Sequence, residues 1–180
     1  MKLELKPEFS TKYKSLTNFE EFESIINTPL RKCIRINTLK KPFEEIKQRL
    51  EYLNLKPIPW FKEGFFVESE NRALGKLYEH KLGYFFVQEA ASMIPPVVLD
   101  PKKEDLILDA CAAPGSKTTQ IAQMIDNQGI IVANDKTTMR IKALSANIQR
   151  MGVTNTIITT ADVRRITQPF NKILLDAPCS

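Results

Sequence analysis

Asp109, Asp135, Asp162 and Asp176 each stand at or near the end of a short apolar run: LILDA (106–110), IIVAND (130–135), TIITTAD (156–162) and KILLDA (172–177). Runs of this kind read as strands buried on both faces of a parallel sheet. In such a sheet the carboxyl ends lie along one edge, and ligands bind there where the strand order reverses. One aspartate in such a place most often caps a following helix, but four in register point to a site. The turn after the first strand, Cys111-Ala112-Ala113-Pro114-Gly115-Ser116-Lys117, is built of small residues and leads into a helix whose first N–H groups have no partners within it. A phosphate-binding P-loop would need glycine at positions 111 and 116, where Cys111 and Ser116 stand, and a dinucleotide fingerprint needs three glycines where Gly115 is alone. The remaining reading is a nucleoside joined to a sulfonium amino acid, lying over this turn. Asp135 would then accept from both ribose hydroxyls and Asp162 from the adenine amino group. No metal is expected, because His80 is the single histidine and no CxxC pair exists.

These carboxylates need a scaffold. A helix near 116–127 presents Thr118, Ile121, Ala122 and Ile125 on one face, and one near 138–151 presents Ile141, Leu144, Ile148 and Met151, with Thr137 to cap its start and Gly152 to end it. Strand–helix alternation with short links implies right-handed βαβ units and a doubly wound α/β sheet. Upstream the pattern is mixed. Residues 18–27 are helical, with Phe19, Phe22, Ile25 and Ile26 on one face and Asn18 as cap. KCIRINTL (32–39) alternates as a strand, Ile34 and Ile36 facing one way, Arg35 and Asn37 the other. A helix begins at Pro42 with Phe43, Ile46, Leu50 and Leu53 as its stripe, and WFKEGFFVES (60–69) and LGYFFVQ (82–88) read as a strand or hairpin and a further strand. EAASMIPPVVL (89–99) starts helical and is expected to break at Pro95-Pro96. This is a small α+β unit that fits an RNA-recognition-like sandwich. Lys32, Arg35, Lys40 and Lys41 would form a basic strand face, either a phosphate track or a solvated surface, and Trp60, Phe61 and Phe66 either stack bases or fill the core.

Composition sets the bounds. With 43% hydrophobic and 26% charged residues in 180, the chain is globular rather than disordered. It has no apolar run approaching the ~18 residues of a membrane span. The first residues are charged and lack the apolar segment of an export signal. Three scattered cysteines, Cys33, Cys111 and Cys179, make no disulfide framework, so a reducing cytoplasm is the expected compartment. A net charge of +5 is compatible with a nucleic-acid partner. No glutamate follows Glu104, and the chain beyond it is dense in Ile, Leu, Ala and Thr. This shift places a boundary near residues 100–105, between a unit of residues 1–100 and one of residues 101–180.

DACAAPGSKT (109–118), AND (133–135), AD (161–162) and LLDAPCS (174–180) together resemble the Sun/RsmB family of RNA cytosine-5 methyltransferases, for which CAAPGxKT and DAPCS are signatures. The likeness extends to PLRKCIRINTLK (29–40) and YFFVQEAAS (84–92), and so covers roughly residues 29–180. It implies a Rossmann-like methyltransferase sheet, S-adenosylmethionine as cofactor, and RNA as partner, tRNA ahead of rRNA. No membrane partner is implied, and a monomer is expected for the full-length protein. Cys111, Ala112, Ala113, Pro114, Gly115, Ser116 and Lys117 would hold the cofactor, mostly through backbone groups. Asp135 would bind the ribose and Asp162 the adenine, while Asp176 would sit where methyl group, base and protein meet. Arg140 would line the same pocket or be a solvated charge. Ser116 departs from the family's usual second glycine but is small.

The chemistry implied is thiolate addition to C6 of the cytosine, which makes C5 nucleophilic toward a methyl group, with a carboxyl group, Asp176, holding N3 and the N4 amino group. The target base must leave its stack. Cys179 reads from the sequence alone as the nucleophile; in the family the Pro-Cys cysteine assists product release and the nucleophile lies in a later Thr-Cys motif. Since the chain ends at Ser180 and the sheet shows only four strands, with KILLDA at an edge, it is expected to be a C-terminally incomplete and inactive part of such an enzyme. Two alternatives stay open: a cofactor- and RNA-binding fragment without turnover, and a methyltransferase that uses Cys179.

Overall fold

A computed structural model describes residues 4–69 and 73–177. Contacts between Cα atoms divide the chain after Arg31. The first unit is a helical pair. Helix α1 (Pro7–Lys14) carries proline in its first turn, where no N–H is needed. Helix α2 (Phe19–Ile26) is capped as expected by the Asn18 side chain, which accepts from Glu21 N. Phe22 stacks on Tyr13, with ring centroids 4.8 Å apart, whereas Ile25 of the expected stripe is exposed.

Residues 32–180 hold two sheets. The first comprises β1 (Cys33–Ile36), β2 (Leu55–Ile58), β3 (Phe61–Val67) and β4 (Phe85–Val87), with α3 (Phe43–Arg49) after β1 and α4 (Tyr78–Lys81) before β4. Its order is β2-β3-β1-β4 and every pair is antiparallel, the split βαβ arrangement. The stripe expected downstream of Pro42 holds: Ile46, Leu50 and Leu53 are buried with Ile34, Ile36, Phe65 and Phe85. After Arg49 the helix tightens into a 3-10 turn, Glu51–Leu53, ended by Asn54 in the left-handed region. The strand β2, with Pro57 inside it, has no counterpart in the sequence reading; proline is tolerated there because β2 is an edge strand. The paired prolines 95 and 96 do not interrupt a helix but begin one, α5 (Ile94–Leu99), where their missing N–H groups cost nothing.

The second sheet is parallel, as expected: β5 (Leu106–Asp109), β6 (Ile130–Asn134), β7 (Thr156–Thr159) and β8 (Lys172–Leu174), with α6 (Ser116–Met124) and α7 (Thr138–Met151) as crossovers. Its order is β7-β6-β5-β8, so the strand order reverses between β5 and β8. One face is deeply covered: Ile107, Ile131, Ala133 and Leu174 pack on Ile121, Ala122, Ile125, Leu144, Ile148 and Met151 of α6 and α7 and their ends. The other face is only partly covered, by Val163, Ile166 and Phe170 over Leu108, Ala110 and Val132, and leaves Ile157 and Ile173 exposed. The strands expected over 156–162 and 172–177 are therefore shorter than their apolar runs.

The RNA-recognition-like reading of the first sheet needs one correction. The face bearing Arg35 and Asn37 is not open. Arg35 is fully buried, with its guanidinium on α6, and Asn37 donates to Met151 O at the end of α7 (2.8 Å). Strand alternation gave the correct face, but that face is covered by the parallel-sheet half. Gly83 marks the closeness of the two halves: its φ is 75°, and a Cβ there would stand 2.0 Å from Arg150 O.

Candidate active site

Three strand ends and the turns after them enclose a cavity of about 370 Å³, lined among others by Cys111, Asn134, Asp135, Arg140, Asp162 and Arg164. The first wall is the turn after β5. Ala112 N donates to Asn134 O (2.7 Å) and Gly115 N to Ala112 O (2.7 Å). Gly115 takes φ 101°, a conformation that favours glycine, and a Cβ there would also press on Leu144 Cδ1 at 2.9 Å. Asn147 Nδ2 holds Pro114 O from α7 (2.9 Å).

The floor is Asp135, directly after β6 and 2% exposed. Its carboxylate accepts from Ala113 N (3.3 Å) and Thr137 N (3.0 Å) and pairs with Arg140 at 3.1 Å. The half-exposed Arg140 also donates to Ala113 O, which ties the second turn to the first. Asp162 forms the third wall. It caps the turn Val163–Arg165 by accepting from Arg164 N (3.1 Å) and also from the Arg164 guanidinium (2.6 Å). Those bonds hold its carboxyl well below the usual carboxylate range.

The expected set is thus divided. Cys111, Asp135, Arg140 and Asp162 meet at the cavity. Ala112 and Ala113 are buried behind it, with Pro114 exposed and Ser116 and Lys117 half-buried. Asp176 lies on the far side of β5, beyond β8, where it pairs with Lys117 Nζ at 2.5 Å. Asp109, though in register, does not line this cavity. It is buried and accepts from Thr118 Oγ1 (2.6 Å), and burial pushes its pKa up to about 6. Burial, reinforced by Asp135 and Asp109, also pushes up the Cys111 thiol, the opposite of what a thiolate nucleophile needs. Cys179 lies outside the described residues. Of the expected basic set, Lys32, Lys40 and Lys41 are exposed, Lys41 in an ion pair with Glu45 (2.8 Å), while Arg35 is not available to a phosphate. Phe61 is buried and Phe66 half-buried, and Trp60, 42% exposed, donates to Ala90 O.

Asn134 was not anticipated. Its amide donates to Ala110 O and Ala161 O and accepts from Ala161 N and Thr159 Oγ1, lacing together all three turns of the cavity. Its place before Asp135 at a buried strand end was the available signal. Among the described residues no group of three or more His, Cys, Asp or Glu could hold a metal, and no helix is long and apolar enough to cross a membrane.

Comparison with known proteins adds to this geometry. A family model described as 16S rRNA methyltransferase RsmB/F matches residues 96–180, and one described as the N-terminal domain of 16S rRNA methyltransferase RsmF matches residues 5–90. A tRNA (cytosine(49)-C(5))-methyltransferase of Pyrococcus abyssi is 50% identical over 174 residues, 94% of this chain and 56% of that protein. Ribosomal RNA small subunit methyltransferase F of Shewanella woodyi is 46% identical over 172 residues, 89% of this chain and 36% of that protein. Among solved structures, a methyltransferase homolog protein from Pyrococcus horikoshii is similar at 34% identity and TM-score 0.81, covering 98% of this chain and 64% of that one. NSun6 from Pyrococcus horikoshii with SFG is similar at 27% identity and TM-score 0.85, covering 97% and 71%. The chain spans between about a third and just over half the length of these curated relatives.

Proposed function

The chain belongs to the RsmB/RsmF (Sun) family of methyltransferases, and on that premise we propose that it forms the S-adenosylmethionine-binding part of an enzyme that methylates C5 of a cytosine in RNA. The observation that carries this reading is Asp135, buried at the floor of a cavity bounded by three strand ends. A carboxylate accepts at about four positions, and two backbone N–H groups and one half-exposed guanidinium leave capacity for one ribose hydroxyl, and for the second where Arg140 moves aside. A cavity of about 370 Å³ falls in the range of small-ligand sites. When bound, S-adenosylmethionine supplies an activated methyl group.

The chain's own groups then have distinct roles. Asp135 orients the ribose, and Asp162, kept ionised, accepts from the adenine amino group. Lys117 and Asp176, an ion pair beyond the cavity, hold the base. Cys179 is the candidate thiol, as nucleophile or in product release; at Cys111 burial and the neighbouring carboxylates push the thiol up, which disfavours that role. Exposed Lys32, Lys40 and Lys41 contribute phosphate contacts. The higher identity and coverage of the tRNA relative favour tRNA over rRNA. The two matched segments, ending at residue 90 and beginning at residue 96, support a functional division near residue 100.

Calorimetry with S-adenosylmethionine tests the reading. Asp135→Asn is expected to weaken binding about 10- to 100-fold, as loss of charge-assisted hydrogen bonds does. Binding that survives the change would remove the ribose assignment. Nucleoside mass spectrometry of RNA incubated with protein and cofactor reads the activity as 5-methylcytidine.

A further inference from the structure

Strand β1 sends Arg35 into the parallel-sheet half, and its guanidinium ends on one face of α6. Nε donates to Gln88 Oε1 (2.9 Å), Nη1 to Gln123 Oε1, and Nη2 to Thr119 Oγ1 (2.7 Å) and Ser116 O (3.5 Å). Thr119 Oγ1 in turn donates to Ser116 O (3.2 Å). Gln88 Nε2 continues the set to Gln120 Oε1 (2.7 Å), whose own amide donates to Met93 O (2.8 Å). Ser116 is the first residue of α6 and follows Gly115, the last residue of the cofactor turn.

We propose that Arg35 is a positioning residue for the cofactor turn: it fixes the first two turns of α6, and through Ser116 the backbone of residues 111–115. This rests on the reading of the adjoining cavity as the S-adenosylmethionine site. Helix electrostatics do not explain the placement, because a cation beside a helix N-terminus opposes the macrodipole. Fork geometry does. A planar guanidinium reaches three side chains and a carbonyl at once, which a lysine ammonium cannot. Burial pulls the pKa down to about 9, so the group stays charged at neutral pH and its bonds stay charge-assisted. The acceptors named are neutral, and Phe86 lies with its ring centroid 5.7 Å from the guanidinium carbon. Gly64, opposite Arg35 in the sheet, leaves room for Met93: a Cβ there would stand 2.8 Å from Met93 Sδ.

A plain cross-link between the two halves would behave differently, and Asn37 supplies the control. It lies on the same face of β1 but donates to Gly83 O and Met151 O, at the far end of α7. The test uses the full chain, with hydrogen exchange in the absence of ligand and calorimetry with S-adenosylmethionine. Arg35→Met should speed exchange in residues 111–119 about tenfold and raise the cofactor Kd about tenfold. Arg35→Lys should not rescue either. Asn37→Ala should lower Tm while leaving both readouts within about twofold of the parent. Should Arg35→Met fail to fold, Thr119→Val keeps the arginine and removes the hydroxyl link, with a shift of about threefold expected in the same direction. The proposal is overturned if folded Arg35→Met, or Thr119→Val in its place, leaves turn exchange unchanged. It is equally overturned if Asn37→Ala disturbs the turn as much as Arg35→Met does. A parent protein that binds no S-adenosylmethionine would sink the cofactor reading, and turn exchange alone would then decide the role of Arg35.

Discussion

Two polar clusters adjoin the start of α6, and they differ in closure. On the side of the antiparallel sheet, Arg35, Gln88, Thr119, Gln120 and Gln123 are all buried and bonded to one another or to backbone carbonyls. The unpartnered buried side-chain atoms among the described residues are Ser69 Oγ, Asn155 Oδ1 and Thr156 Oγ1, none of them in this cluster. On the side of the cavity the carboxylates Asp135 and Asp162 are 2% and 19% exposed, but their cations Arg140 and Arg164 are 44% and 82% exposed. The first cluster commits its hydrogen bonds to shape. The second presents acceptors whose partners can move aside for a ligand. The first sets neutral acceptors around one cation and the second uses carboxylates, but what decides whether either can take a ligand is whether the partners are locked in place.

The closed cluster should break hardest. Gln88 accepts from Arg35 and donates to Gln120 Oε1 and Ser92 O. Gln88→Leu would fill similar space while leaving two buried polar groups, Arg35 Nε and Gln120 Oε1, without that partner, each costing ~1–3 kcal/mol. A loss of about 3 kcal/mol in urea unfolding is expected. A loss below about 1 kcal/mol would mean that the cluster relaxes and is not closed.

The open cluster was the more legible of the two in the sequence. Aspartates at the ends of apolar runs, and a small-residue turn, announce a carboxyl-edge site, and strand-end position brought two of the four, Asp135 and Asp162, to the cavity. Asp135 and Asp162 needed no tertiary knowledge. Arg35 did. Period-two alternation correctly set it opposite Ile34 and Ile36, yet local pattern carries no information about what later segment covers a face. The polar side of β1 therefore read as a phosphate track or a solvated surface, although it is an interface with α6, which lies some 80 positions downstream. Gln88, Gln120 and Gln123 gave no warning, since glutamine has no strong preference that would reveal burial. The missed strand β2 has a similar cause: Pro57 counts against a strand until its edge position is known.

Asp109 sharpens the contrast, because it belongs to the edge by sequence and to the interior by burial. Its pKa is pushed up to about 6, mainly by burial and against the bond from Thr118. The folded state thus binds a proton more readily than the unfolded one, so this carboxyl lowers stability progressively as pH rises from about 4 to about 6, and the penalty persists above that. Asp109→Asn should raise stability by up to about 3 kcal/mol at pH 7, with the two proteins converging below about pH 4. Denaturant unfolding across that range measures it. Parallel curves at all pH values would show that Asp109 titrates alike in both states.

Arg164→Ala should have the smallest effect, and its sign carries the information. The side chain is exposed and its pair with Asp162 is a surface ion pair, so Tm should stay within about a degree. The Asp162 carboxyl, held low chiefly by Arg164, should titrate closer to the ordinary carboxylate range, which NMR of the side-chain carboxyl would show. If the cavity cluster is open in the sense argued above, Arg164 competes with a ligand amino group for the oxygens of Asp162. Removing it should then strengthen S-adenosylmethionine binding by about two- to threefold, a gain no larger than the modest worth of an exposed ion pair. A weakening of the same size would place Arg164 among the groups that touch the ligand. The cluster would then be prearranged rather than yielding, and its difference from the Arg35 cluster would lie in exposure and acceptor charge, not in mobility.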